Sequence, residues 1–321
     1  MKIRIRKYSW QLAPASVRQI RQQVFIDEQQ VPEALEWDDT DDIADHYLAV
    51  LPDNTPVAVA RMFSTLSETA HIGRMAILPE FRGRGIGRTL LNRLIQDAAG
   101  QFPELRLSAQ RHAVPFYQRS GFHVCSSPYE DAGIPHVDMC CLAPELVAAE
   151  LGRRHYPMVK GEDADAWLFH REEELAALLD SLVSQASQRI WLYDRLLEHD
   201  LYDRFRFREV LSALARRHRL SEVRILIHDD RPLVKKRHRI VELMRRLPSR
   251  IELRLVNSQY PVEDQPFVLA DREALLYRHD FYKPEGFANF TDSGRVRLLS
   301  ESFQRMWDAG RNSLELRELP L

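Results

Sequence analysis

The 321-residue chain has only three cysteines, Cys125, Cys140 and Cys141, two of them adjacent and none at metal-ligand spacing. All three fall on expected strands. They read as buried thiols, and disulfide, thiolate-metal and cysteine-nucleophile chemistry is set aside. No apolar run approaches the roughly 20 residues that cross a bilayer. Met1-Lys-Ile-Arg-Ile-Arg-Lys alternates like a strand where a secretion signal would be apolar. These absences predict a cytoplasmic protein with no membrane span. Lysine is scarce as well, with 6 residues in the 45 Lys and Arg. An arginine-rich surface is then first a consequence of composition and only second a nucleic-acid site.

What is present points to two globular domains, because a chain of 321 residues exceeds what one core usually holds. The formal net charge is −2, yet charge is locally polarised. Residues 27–45 hold nine carboxylates and no Lys or Arg, and residues 204–254 hold sixteen basic residues against six acidic. Two different partners are implied. The basic run suits a phosphate backbone or an acidic membrane surface, but it has few aromatics to stack on single-stranded bases, and solvated helix faces explain it more simply.

The densest chemical signal is residues 72–91, Ile-Gly-Arg-Met-Ala-Ile-Leu-Pro-Glu-Phe-Arg-Gly-Arg-Gly-Ile-Gly-Arg-Thr-Leu-Leu, where a strand runs through three alternating glycines into a helix. Gly83, Gly85 and Gly87 accept positive φ and let the backbone approach an anion. The unpaired N–H groups and dipole of a helix starting near Ile86 or Gly87 point at that anion, and Arg82, Arg84 and Arg88 add charge. A dinucleotide fold would place an acidic ribose ligand about 20 residues on. The chain instead reads Leu105-Arg-Leu-Ser-Ala-Gln110, a strand, then Ala113-Val-Pro-Phe-Tyr117-Gln-Arg-Ser-Gly121-Phe122, a short helix ending at glycine.

These stretches resemble motifs A and B of the GCN5-related N-acetyltransferase (GNAT) superfamily. The resemblance covers about residues 1–145. It implies a β-α-β-β-β-α-β-α-β-β order, a mixed sheet flanked by helices, and acetyl-coenzyme A as cofactor. The coenzyme would be held by Met75, Ala76, Ile77, Arg82, Gly83, Arg84, Gly85, Ile86, Gly87, Arg88, Gln110 and Phe116. A backbone N–H within Met75–Ile77 would stabilise the oxyanion, and Tyr117 would protonate the leaving thiolate, although a Phe116-Tyr117 pair on a short helix also suits packing. Gln110 stands where many relatives carry Asn.

The alternating strand 2–8, a helix after Pro14 with Val17, Ile20 and Val24 on one face, and strands at 46–51, 56–63 and 71–78 complete the expected first domain. Its acidic stretch, Glu28-Gln29 through Glu36-Trp37-Asp38-Asp39-Thr-Asp41-Asp42 to Asp45-His46, is similar to the ElaA-type GNAT pattern. Glu36, Asp38 and Asp41 more weakly echo the E-x-D-x-x-D of acyl-homoserine lactone synthases. Either likeness turns carboxylates toward an amine. An alkyl ammonium, with a pKa of roughly 10, must lose a proton before it attacks a thioester. Glu28 is the first candidate base, Glu36 and His46 the next. His71 and His112 read as surface or hydrogen-bonding residues, and Arg61 as a ligand for an acceptor carboxylate.

The motif pattern stops near Pro144, so the domains are expected at 1–148 and 149–321. Helices at 171–186, 205–217, 234–247 and 295–309 and strands at 189–194, 223–228, 251–256, 266–271 and 273–278 make the second an α/β domain. Asp271 after an apolar strand, Gly286-Phe-Ala-Asn289-Phe290, Phe303 and Trp307 resemble the phospholipase D superfamily. That family's H-x-K-x4-D motif is missing, since Asp264 and Pro266 stand where its histidine and lysine belong, so a non-catalytic domain is implied. The leading expectation is transfer of an acetyl group to a primary amine of a small molecule or peptide, with no metal. The alternative is an acyl-coenzyme A sensor whose second domain engages nucleic acid, lipid or protein.

Overall fold

The glycine turn lies between a strand of a mixed sheet, which ends at Ile77, and the helix that starts at Ile86. A computed structural model describes residues 2–66, 68–149, 157–313 and 315–318. The chain forms two compact units, Met1–Pro157 and Met158–Leu321. The sequence, rich in Ala and Leu, predicts a helix over roughly 144–152, whose last residues, 150–152, lie outside the described residues.

The first unit contains β1 (Arg4–Tyr8), β2 (Asp45–Val50), β3 (Pro56–Leu66), β4 (Thr69–Ile77), β5 (Glu104–Gln110), β6 (His123–Val124), β7 (Tyr129–Asp131) and β8 (Ile134–Cys141). Their spatial order is β1-β2-β3-β4-β5-β8-β6, with β7 paired to β8. Helix α1 (Ala15–Arg21) follows Pro14 and widens into a π-type turn over Gln22–Glu28, closed by the Gln29 N–H donating to Val24 O at 3.2 Å. Val17, Ile20 and Val24 pack against Leu48, Val59 and Ala76. Helix α2 (Ile86–Ala98) buries Leu90, Leu91, Leu94 and Ile95, and its Asp97 accepts a hydrogen bond from the Tyr47 hydroxyl at 3.0 Å. Helices α3 (Val114–Gln118) and α4 (Pro144–Ala149) complete the unit.

One strand pairing breaks off early. Strands β4 and β5 are parallel, but their register runs only from Thr69↔Glu104 to Ile72↔Leu107. Beyond that β4 is bulged: Val59 of β3 faces Ala76 while Arg61 faces Gly73, which leaves one extra residue in β4. Arg74, in the bulge, takes φ of 49°. A bulge bends its strand, so β4 turns away from β5 and, on that side, the backbone of Gly73–Ile77 faces open space instead of a neighbouring strand.

In the second unit the sheet order is β16-β12-β11-β10-β13-β14-β15-β9, formed by β9 (Ala166–Phe169), β10 (Arg189–Asp194), β11 (Glu222–Ile227), β12 (Ile251–Leu255), β13 (Phe267–Ala270), β14 (Ala274–Arg278), β15 (Gly286–Asn289) and β16 (Arg311–Asn312). Three adjacent strands, β10, β11 and β12, are parallel. They are joined through α6 (Phe205–Arg217) and α7 (Arg239–Arg246), while α5 (Glu172–Ser184) precedes β10. Helix α8 (Ser293–Ala309) lays Val296, Phe303, Met306 and Trp307 on Trp191, Phe267 and Leu275. Sequence reading missed β9, β15 and β16, which are short and lack clear alternation.

Candidate active site

Where β4 and β5 part, a cleft of about 660 Å³ opens. Gly73–Ile77 form one wall, and Ser108, Gln110, Phe116 and Tyr117 the other. Val24, Phe25, Glu28 and Gln29 of the π-type turn lie over it, and Asp131, Ala132, Ile134 and His136 of the β7–β8 hairpin also line it. The widened turn carries one extra residue per turn and is a recurrent feature of functional sites.

The glycine turn leads into α2. Gly83 and Gly85 have φ of 73° and 79°, and a Cβ built on either meets nothing within 4 Å. The turn is open to solvent. The helical ladder begins with the Thr89 N–H donating to Gly85 O at 3.1 Å, and N–H groups ahead of that bond have no intrahelical acceptor. Gly87 serves packing instead: a Cβ there would stand 3.3 Å from Ile77 Cδ1 and 3.4 Å from Phe116 Cζ. Ile86 is buried, so only its backbone is available to a ligand. The Arg84 guanidinium lies 5.6 Å over the Phe81 ring, and Arg88 is exposed on the first turn of α2.

Tyr117 reaches across the cleft, its hydroxyl 3.9 Å from Met75 Sδ. Withdrawal from water pushes its pKa up to about 12, so the phenol keeps its proton at neutral pH. Its ring meets Phe116 and Phe122 edge-on. Gln110 at the end of β5 donates to Gln29 Oε1 at 3.0 Å, linking the two sides of the cleft.

The acidic stretch behaves differently from the expectation. Glu36 and Asp41 are buried and Asp38 partly so, but they face arginines rather than an amine site. Arg21 donates to Glu36 Oε1 at 2.6 Å and to Asp41 Oδ1 at 2.7 Å. Arg61 donates to Asp38 at 2.6 and 2.7 Å and to Asp41 at 2.6 Å. Arg74 approaches Glu36 Oε2 at 2.9 Å and Asp38 Oδ2 at 3.1 Å, and donates to Leu35 O at 2.8 Å and Glu36 O at 3.0 Å. Arg61 therefore holds the protein's own carboxylates, not an acceptor's. Desolvation raises the pKa of Glu36, whereas arginine hydrogen bonds and charges outweigh desolvation at Asp38 and hold it at about 2. Buried charges need such partners, and the network pins the short helical turns Glu33–Glu36 and Thr40–Ile43 to the bulge.

Of the three candidate bases, Glu28 and Glu36 line the cleft and His46 does not. His46 is buried with Nε2 2.9 Å from Asp41 O and its ring 4.7 Å from that of Trp10, and burial lowers its pKa. It is a core histidine, because strand alternation turns it toward Trp10. Glu28 accepts both terminal nitrogens of Arg82 at 2.6 Å, and that hydrogen bonding lowers its pKa. His112, read from the sequence as a surface or hydrogen-bonding residue, lines the cleft, and so do His136 and Asp131, which the sequence did not single out. His136 and Asp131 lie on a hairpin whose turn, Ala132-Gly133 with φ of 49° and 76°, carried the only sequence signal. His71 stacks on Phe63 and does not line the cleft.

Cys140 and Cys141 are buried, Cys125 is partly so, and all are free. Among the described residues no group of His, Cys, Asp and Glu could hold a metal, and no helix is long and apolar enough to cross a membrane. In the second unit the phospholipase D-like residues are structural. Asp271, at φ of 54°, accepts from the backbone N–H groups of Ser187, Gln188 and Arg189 and from Lys160. Asn289 donates to Ala164 O, and Phe303 stacks on Trp191. Several arginines of the basic run are paired, including Arg204 with Asp180 at 2.6 Å and Arg239 with Asp203 at 3.2 Å.

Residues 11–143 match the family model of the acetyltransferase (GNAT) domain, and residues 161–319 match that of a domain of unknown function (DUF7931). The phospholipase D likeness finds no support. The uncharacterized N-acetyltransferase YjcF of Bacillus subtilis is 34% identical over 122 residues, 37% of this chain and 86% of its own length. Protein ElaA of Escherichia coli is 32% identical over 136 residues, 41% of this chain and 86% of its own. The crystal structure of Escherichia coli ElaA is 28% identical, with a TM-score of 0.40, covering 44% of this chain and 99% of that one.

Proposed function

Because the chain belongs, through residues 11–143, to the GNAT acetyltransferase family, we propose that it transfers an acetyl group from acetyl-coenzyme A to a primary amine. The observation that carries this reading is the parting of β4 from β5 beside an open glycine turn. The bulged β4 edge offers main-chain groups to an extended thiol arm, and the turn offers N–H groups to a pyrophosphate.

In this reading Gly83, Gly85 and the N–H groups opening α2 hold the pyrophosphate, with Arg82, Arg84 and Arg88 around it. The arm lies along Met75–Ile77, whose N–H groups face the oxyanion as it forms. Glu28 accepts the ammonium proton through water. The amine nitrogen attacks the thioester carbon, the tetrahedral intermediate collapses, the C–S bond breaks, the departing thiolate takes the Tyr117 proton, and the second proton shed by the amine nitrogen restores Tyr117 through water. Arriving pyrophosphate competes with Glu28 for Arg82, so donor binding releases the base.

The reading is tested by thiol release from acetyl-coenzyme A across polyamines, amino acids, peptides and aminoglycosides. Release with one amine class supports it; coenzyme A binding with no release across the panel contradicts it. A second reading, an acyl-coenzyme A sensor, draws on Glu36, Asp38 and Asp41 being taken up by arginines instead of facing an acceptor. A sensor binds the donor equally well after Tyr117→Phe and releases no thiol before or after it.

A further inference from the structure

The second unit has a cleft of its own. Strands β10, β11 and β12 run parallel and end at Asp194, Ile227 and Leu255. Outside those carboxyl ends lies a cavity of about 510 Å³ lined by Arg195, His228, Asp229, Asp230, Arg231, Leu255 and Arg311. Open α/β sheets take their ligands at that edge. We propose that this cavity binds the phosphoryl group of a small phosphorylated molecule, with Arg195, Arg231 and Arg311 as its donors and His228 beside them.

The backbones of the two wall loops are tied together. The His228 and Asp229 N–H groups both donate to Arg195 O, at 3.0 and 3.3 Å, which ties the loop after β10 to the loop after β11. The Arg195 N–H donates to Asp194 Oδ1 at 2.7 Å, and buried Asp194 is held by Arg278 at 2.9 Å and Tyr202 at 2.6 Å. Arg231 spends Nε and Nη2 on Asp229 and keeps Nη1. Three arginines against two aspartates leave the lining one positive charge, which suits a single phosphoryl group better than a nucleic-acid backbone.

The tautomer of His228 follows from its neighbour. The Tyr193 hydroxyl donates its one proton to Glu263 O at 2.6 Å, so at 2.9 Å it accepts from His228 Nε2–H. Nδ1 is left with its lone pair. Packing against Tyr193 and Phe281, and then the charge of Arg195, lower the pKa of this ring. Nδ1 can thus accept the proton of a hydrogen phosphate while the arginines bind its other oxygens.

The test uses the full chain and titrates inorganic phosphate and then AMP at constant ionic strength. The readout is the His228 ring signals in nitrogen-edited NMR, assigned by His228→Gln. These report on the second unit whether or not the first binds coenzyme A, so failure here is distinct from failure of the acyltransferase reading. A saturable shift is expected with both probes, its midpoint about tenfold higher in Arg195→Ala/Arg311→Ala with the melting temperature unchanged. No saturable shift, or an equal midpoint in the double variant, overturns the proposal. So does a single-stranded oligonucleotide that moves His228 at lower concentration than AMP.

Discussion

Arg82 and Glu28 form a two-pronged ion pair, Nη1 to Oε1 and Nη2 to Oε2 at 2.6 Å each, and both line the cleft between β4 and β5. The group expected to meet phosphate is thus tied to the group expected to meet the amine. Hydrogen bonding from Arg82 lowers the Glu28 pKa from the ordinary glutamate value, so the acid limb of kcat/KM for acetyl-coenzyme A, which reports the donor-free enzyme, lies below that value. In Arg82→Gln the lowering is lost. The limb moves up toward about 4.3, and coenzyme A binds about tenfold more weakly. A pH–rate profile and a coenzyme A titration measure both, and an unmoved limb shows that Glu28 is not the base.

The arginine–carboxylate network under the bulge is structural, and its removal is costly. Arg21→Met takes from buried Glu36 and Asp41 one of their arginine partners, leaving Arg74 on the first and Arg61 on the second, which costs about 3–5 kcal/mol. Breaking the exposed pair Arg93–Asp97 costs at most about 0.5 kcal/mol. Urea unfolding at pH 7 compares the two.

The same network sets an acid limit. Asp38, held at about 2, and Asp41, also lowered, contribute stability that is complete above the unfolded value of about 3.9. That contribution is lost as pH falls from there through about 2. Glu36, raised by burial, acts in the opposite sense and favours the fold as it becomes protonated. Unfolding free energy measured between pH 5 and 2 should fall, and Asp38→Asn should flatten the fall.

Gly85 and Gly87 separate binding from packing. In Gly85→Ala the left-handed backbone costs about 1–2 kcal/mol, but its Cβ meets no protein atom. The chain stays folded while coenzyme A affinity falls at least about tenfold, since the methyl occupies the approach of an anion. In Gly87→Ala the strain falls on Ile77 and Phe116, and stability shifts without a matching loss of affinity. Calorimetry and thermal melts distinguish the two.

Tyr117→Phe removes a hydroxyl whose recorded partner is a sulfur 3.9 Å away, so the fold and donor KM are unchanged. If the hydroxyl is the acid, kcat drops by about 10²-fold. Equal kcat in the two proteins would make Tyr117 a packing residue.

The glycine turn was legible because a strand, positive-φ glycines and a helix start leave local marks, and Gly83 and Gly85 carry those angles in the fold. The central strands of both units were legible from apolar runs such as Ile225–Ile227. The fate of the acidic stretch was hidden, because its arginine partners lie up to 38 residues away, on α1, β3 and β4. Carboxylates facing an amine and carboxylates facing arginines have the same local sequence. The bulge was hidden too, since Arg74 carries no glycine to announce its positive φ, and so was the burial of His46, which depends on Trp10.

The most direct measurement is calorimetric titration of the full chain with coenzyme A and, separately, with pantetheine, which has the thiol arm but no pyrophosphate. Coenzyme A is predicted to bind the first unit at least about tenfold more tightly than pantetheine because the open turn at Gly83–Gly85 takes the pyrophosphate. No heat with coenzyme A, or equal affinity for the two, would contradict it.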